Sequence, residues 1–178
     1  MDMMNINFGS VIEPYQLAHN VGIAEYMRKR ANNYQLNMDM CYVVGLLHNI
    51  GYLKGDKGHE KAGAELLEYM GMTNSDVLQA IKYHWTEPRN VELVYGEVIS
   101  PLLVLTYEAV VSVDSYGNYI GFGGKVLELT EKAMIDEGYT PELCKSERIL
   151  SYVKHWLNTY NIEIPHKNTF RKESEYHE

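Results

Sequence analysis

The chain has 178 residues, 46% hydrophobic and 22% charged, values of a globular domain long enough to bury a core without disulfide or metal staples. Its net charge of −8 argues against a nucleic-acid partner, whose phosphates would repel it, and leaves a small anionic ligand to be decided by the local field. No stretch approaches the roughly eighteen uninterrupted apolar residues of a membrane span. The opening Met1-Asp-Met-Met lacks the basic and apolar regions of a signal peptide, and Cys41 and Cys144 read as reduced core thiols; a cytoplasmic location is expected.

Taken in order, Glu13-Pro14 starts a helix whose face of Leu17, Val21, Ile23, Ala24 and Met27 runs to about Ala31. A second helix, from about Asn37 to Ile50, is apolar nearly all round and is expected to be the central buried element. Gly51, Gly55 and Gly58 make a polar loop, and a third helix carries Ala62, Leu66, Leu67 and Met70 until Gly71 stops it. Thr73 to Asp76 caps a fourth with Val77, Leu78, Ile81 and His84. Trp85 to Gly96 reads as a connection. Pro101 opens an apolar helix to about Val113, and Asp114 to Asn118 is a turn. Further helices are expected over about 125–137 and from Thr140-Pro141 to Tyr160, before a polar tail. No strand pattern is visible. The fold class is all-α, with one domain over 1–160 and a tail over 161–178.

Four of the seven histidines carry the chemistry of interest. His48-Asn49 ends the apolar second helix, where polar groups need partners or they cost stability. His19 lies on the first helix in His-Asn-Val-Gly-Ile-Ala, His59 opens the third in Gly-His-Glu-Lys-Ala-Gly-Ala, and His84 ends the fourth in Ala-Ile-Lys-Tyr-His. A lone helical histidine is more often a satisfied residue than a ligand. Four on successive helices favour a shared pocket. Lys54, Lys57 and Arg89 are candidates to hold a phosphate at its mouth, although a solvated loop is the commoner role for such residues.

This pattern resembles the HD superfamily of metal-dependent phosphohydrolases, whose signature is a His, a His-Asp pair and a distant Asp. The resemblance covers about residues 14–115, and the spacing of 29 residues from His19 to His48 suits it. It implies an HD-type helical bundle with His19, His48, Asn49, His59 and His84 as the metal ligands. His59 or His84 would alternatively be a catalytic proton donor. The implied cofactor is a divalent ion (Mn, Mg, Fe, Zn or Ni), and the implied partner is a nucleotide or other small phosphate ester. Some members with extra histidines cleave dinucleoside polyphosphates.

Two positions depart from the family pattern. The His-Asp pair is His48-Asn49 here, and Val110 stands where the distant Asp belongs. Hard ions such as Mg²⁺ and Mn²⁺ prefer oxygen ligands, whereas imidazoles without a carboxylate suit Zn²⁺, Ni²⁺ or Cu²⁺. Glu108 and Asp114 flank the lost position as conceivable substitutes. The expectation is impaired hydrolysis with little or no Mn²⁺, Mg²⁺ or Fe bound, and the cofactor set extends to none at all. The alternative is an inactive HD fold serving ligand binding or protein interaction.

Overall fold

A computed structural model describes residues 14–55 and 57–125. The described chain forms six α-helices: α1 (Pro14–Arg30), α2 (Met38–Leu47), α3 (His59–Tyr69), α4 (Ser75–Lys82), α5 (Pro88–Tyr95) and α6 (Pro101–Val110). Two 3₁₀ turns, Ala31–Tyr34 and Ile50–Lys54, follow α1 and α2. Among the described residues the only extended pairing is an isolated antiparallel bridge, Val113 to Tyr119. The expected all-α class is what the chain adopts. The expected helices over 125–137 and 140–160, the tail and the domain limit at 160 fall outside the described residues.

Helix starts follow their capping chemistry. The Asn37 side chain accepts from Met40 N at 2.8 Å, Asn74 accepts from Asp76 N and Val77 N, and Ser100 accepts from Leu103 N. Each satisfies amide hydrogens that the first helical turn leaves without intrahelical acceptors. The span Trp85–Gly96, expected as a connection, instead contains α5. Glu87 caps it through Asn90 N, and Pro88 sits in its first turn. Its apolar residues obscured the pattern: Val91 is buried, but Leu93, Val94 and Tyr95 are exposed.

The central helix is α6 rather than α2. Every residue from Leu102 to Val110 is buried, whereas α2 exposes Met38 and Val43 and only half-buries Leu46 and Leu47. Being apolar all round marks a helix as a candidate for burial; neighbours on every side decide it. The second helix also ends earlier than expected, at Leu47 rather than Ile50, and resumes as the 3₁₀ turn carrying Lys54.

Two glycines set the distances that matter. A Cβ at Gly45 would lie 2.4 Å from Ala24 Cα, so α1 and α2 touch backbone to backbone one turn before His48. A Cβ at Gly51 would lie 1.7 Å from the His59 carbonyl oxygen, so the turn after α2 presses on the start of α3. Any side chain at either position would wedge the histidine-bearing elements apart.

Candidate metal centre

The four histidines meet. His19 Nε2 lies 3.2 Å from His48 Nε2, and His59 Nε2 lies 3.1 Å from His84 Nε2. His48 and His84 join the two pairs, with ring centroids 5.1 Å apart in an edge-to-face arrangement. All four are buried: His84 at 0%, His48 at 1%, His59 at 7% and His19 at 9% relative exposure. Tyr52 stacks on the His59 ring, with centroids 4.0 Å apart and planes at 10°.

Backbone carbonyls set three of the tautomers. His48 Nδ1 lies 2.6 Å from Gly45 O, His84 Nδ1 lies 2.7 Å from Ile81 O, and His19 Nδ1 lies 2.8 Å from Asp114 O. A carbonyl oxygen only accepts, so each Nδ1 carries the proton and each Nε2 of a neutral ring presents a lone pair. For His59 and His84 this is harmless, because His59 Nε2–H can donate to His84 Nε2. For His19 and His48 it sets two acceptors facing each other at 3.2 Å.

Protonation does not readily relieve that conflict. Burial, then the proximity of His84 and His19, pushes the His48 imidazole well below its ordinary value. Burial pushes His84 down to about 3, and burial also lowers His19. A histidine whose folded pKa is depressed leaves stability unchanged above its unfolded pKa, near 6.5, and lowers it as pH falls below that value, because only the unfolded chain then takes up the proton. His48 and His84 should therefore cost about 1.4 kcal/mol each between pH 7.5 and 5.5, or about 3 kcal/mol together. Thermal melts in chelator at the two pH values check this; an unchanged melting temperature would refute the neutral cluster.

Asn49 completes the corner beside His48. Its Nδ2 donates to Asn20 Oδ1 at 3.3 Å, while its buried Oδ1 has no hydrogen-bond partner. Such an orphaned acceptor costs free energy unless a cation or donor meets it. In donor chemistry, the facing nitrogens of His19 and His48 with the unpartnered oxygen of Asn49 fit a divalent ion. The 3.2 Å separation is close to the edge, about 3.3 Å, of a tetrahedron with metal–nitrogen bonds of about 2.0–2.1 Å. The backbone carbonyls behind His19, His48 and His84 fix the rings as outer-sphere partners of metal ligands do.

The two acidic residues weighed as substitutes are occupied elsewhere. Glu108 is wholly buried and accepts from Arg30 Nε at 2.7 Å, from Tyr26 OH at 2.6 Å and from Tyr34 OH. Burial raises its carboxyl pKa, and Arg30 with the two hydroxyls pulls it back toward the charged form. Asp114 turns its carboxylate onto Tyr116 N and Asn118 N, both at 2.9 Å, and contributes only its backbone carbonyl to His19. Val110 is fully buried in the main apolar core.

A carboxylate that sequence reasoning passed over lies beside the second pair. Glu60 Oε2 is 4.0 Å from His59 Nδ1. His59, Glu60 and His84 offer ligand atoms all within 4.8 Å of one another. Its signal was its place directly after His59; adjacent helical residues usually diverge, so that signal carried little weight. Of the three basic candidates, Lys54 is half-buried on the turn after Asn49, while Lys57 and Arg89 are exposed, two residues before His59 and five after His84. A groove of about 560 Å³, lined in part by Tyr34, Glu92, Glu97, Ile99 and Val104, includes none of the four histidines.

The four helices α1 to α4 and the turns after them bring the four histidines together, in a fold of the metal-dependent phosphohydrolase-like kind. The chain belongs to the HD domain family, whose model matches residues 17–109. That span holds all four histidines and Asn49, and it stops one residue before Val110. No curated protein and no solved structure matches the chain. Members of this family bind divalent metals, and phosphate esters are the substrate class the family suggests. No described helix is long and apolar enough to cross a membrane.

Proposed function

We propose that this HD-domain protein holds a divalent ion at His19, His48 and Asn49, with His59 and His84 completing the cluster. We propose further that it binds a nucleotide or other phosphate ester with impaired hydrolysis. The observation that carries this reading is the pairing of two Nε2 lone pairs at 3.2 Å beside the orphaned Asn49 Oδ1. A bound divalent ion supplies Lewis acidity to a phosphoryl oxygen and lowers the pKa of water. Around it, Asn20 orients Asn49, the three backbone carbonyls hold the rings in one tautomer, and burial keeps the imidazoles neutral for ligation. His59 and His84 serve as further ligands; the alternative role for His59, stacked on Tyr52 with His84 as its hydrogen-bond partner, is to give a proton to a leaving oxygen when no ion occupies that pair. Lys54, Lys57 and Arg89 would carry the phosphate charge.

Loss of anionic ligands is what impairs turnover. Asn49 is a neutral oxygen donor and Val110 is none, so a dication keeps more of its charge and hard ions are held poorly. The same two residues favour a second reading: an inactive HD fold that retains its pocket for ligand or protein binding. Elemental analysis of protein purified without added metal, followed by Zn²⁺, Ni²⁺ and Mn²⁺ loading and a phosphodiester assay, separates the readings. We expect Zn²⁺ or Ni²⁺ to bind, Mn²⁺ to bind weakly or not at all, and turnover to be negligible. Failure of every ion to bind would leave only the inactive fold. Stoichiometric Mn²⁺ with rapid turnover would overturn the impairment.

A further inference from the structure

Positions 49 and 110 carry no carboxylate, but one lies beside the second histidine pair. Among the described residues, His59, Glu60 and His84 are the one group of three ligand-type side chains whose ligand atoms all lie within 4.8 Å of one another. The two imidazole nitrogens are 3.1 Å apart, again near the about 3.3 Å edge of a tetrahedral ion. His84 presents a lone pair there because Ile81 O holds its other nitrogen. Glu60 stands in the first turn of α3, with its side chain 30% exposed. Its Oε2 lies 4.0 Å from His59 Nδ1, so joining the facing Nε2 pair takes a turn of this part-exposed side chain around the ring edge. Glu60 offers a carboxylate oxygen as a donor, which neither Asn49 nor Val110 can.

We propose that Glu60 is a metal ligand, joining His59 and His84 in a second cation subsite and supplying the negative charge that positions 49 and 110 no longer provide. This rests on the reading of the histidine cluster as a metal centre. It moves the anionic ligand from the buried end of α2 to the rim formed by α3. The subsite is of mixed imidazole and carboxylate character, which suits Zn²⁺ and Co²⁺.

The test is titration of the metal-free full chain with Co²⁺, following visible absorption for coordination geometry and calorimetry for stoichiometry. The wild type, Glu60→Gln and His19→Gln would be compared, with metal-free melts establishing that each is folded. The expected wild type binds two ions. Glu60→Gln should weaken one of them at least tenfold while retaining the other, and His19→Gln should do the converse. Identical titrations for Glu60→Gln and the wild type would overturn the proposal. If the single ion bound is lost with His19→Gln and indifferent to Glu60→Gln, the metal centre stands and the Glu60 subsite falls. If it is lost with Glu60→Gln and kept with His19→Gln, the Glu60 subsite stands and the site at His19, His48 and Asn49 falls. No binding at all by the wild type refutes both.

Discussion

Replacing Glu108 with alanine is expected to cost about 3–5 kcal/mol of folding stability, the range for removing one partner of a buried ion pair. Arg30 is only 3% exposed, and its guanidinium would lose the buried carboxylate it is paired with. Tyr26 OH and Tyr34 OH would lose the same acceptor. The loss is large against the total of about 5–15 kcal/mol typical of a domain. Chemical denaturation of Glu108→Ala, Arg30→Ala and the double variant would measure it. The double variant should be less damaged than the sum of the singles, because it removes the buried charge together with its partner. A loss under about 1 kcal/mol for Glu108→Ala would show that water reaches the cluster. The result also bears on the metal centre: a glutamate needed this much by Arg30 is no replacement ligand.

Restoring both family carboxylates, Asn49→Asp with Val110→Asp, should raise affinity for Mn²⁺ by at least about 100-fold. Altering even the outer-sphere partners of a metal site changes affinity by about 10–100-fold. The change at position 49 turns a neutral, unpartnered oxygen into an anionic one on the residue next to His48, whose Nε2 faces that of His19. The change at position 110 is harder on the apoprotein, since Val110 is fully buried in the apolar core. A carboxylate there without metal is an uncompensated buried charge. Each single change should achieve less than its share, because ligands of one ion act together. The signature is therefore paired: lower stability in chelator and a larger gain in melting temperature with Mn²⁺ than the parent shows. Binding isotherms for the parent, both singles and the double variant would measure it. Additive or absent gains would mean that position 110 does not face the ion.

His48, His59 and His84 were legible because each stands at a helix start or end that capping residues and glycines mark, while His19 lies within α1. Their convergence followed from the family resemblance and is now visible as two Nε2 pairs. The hidden parts had physical reasons. Helix α5 buries Pro88 and Val91 but shows Leu93, Val94 and Tyr95 to solvent, and at eight residues it is too short for a persuasive periodicity. Helices α2 and α6 have similarly apolar compositions, and only packing shows that α6 is enclosed. The engagement of Glu108 depends on Arg30, 78 residues away, and on two tyrosines. The tautomers are set by main-chain oxygens, which no side-chain pattern encodes.

The carbonyl partners of the histidines also impose an order in time. His48 and His84 each turn to a carbonyl three residues back, so their ring orientation is available once the local turn has formed. His19 takes its orientation from Asp114, 95 residues along the chain. That contact closes a long loop, whose entropy must be spent before any reward arrives, and such contacts form late in folding. Half of the cluster is thus local in origin, while His19 records the closing of the bundle. A cation gathered by the finished cluster would bind only a chain whose α1 had already docked against the turn after α6, which makes the site a check on completion as well as a place for chemistry.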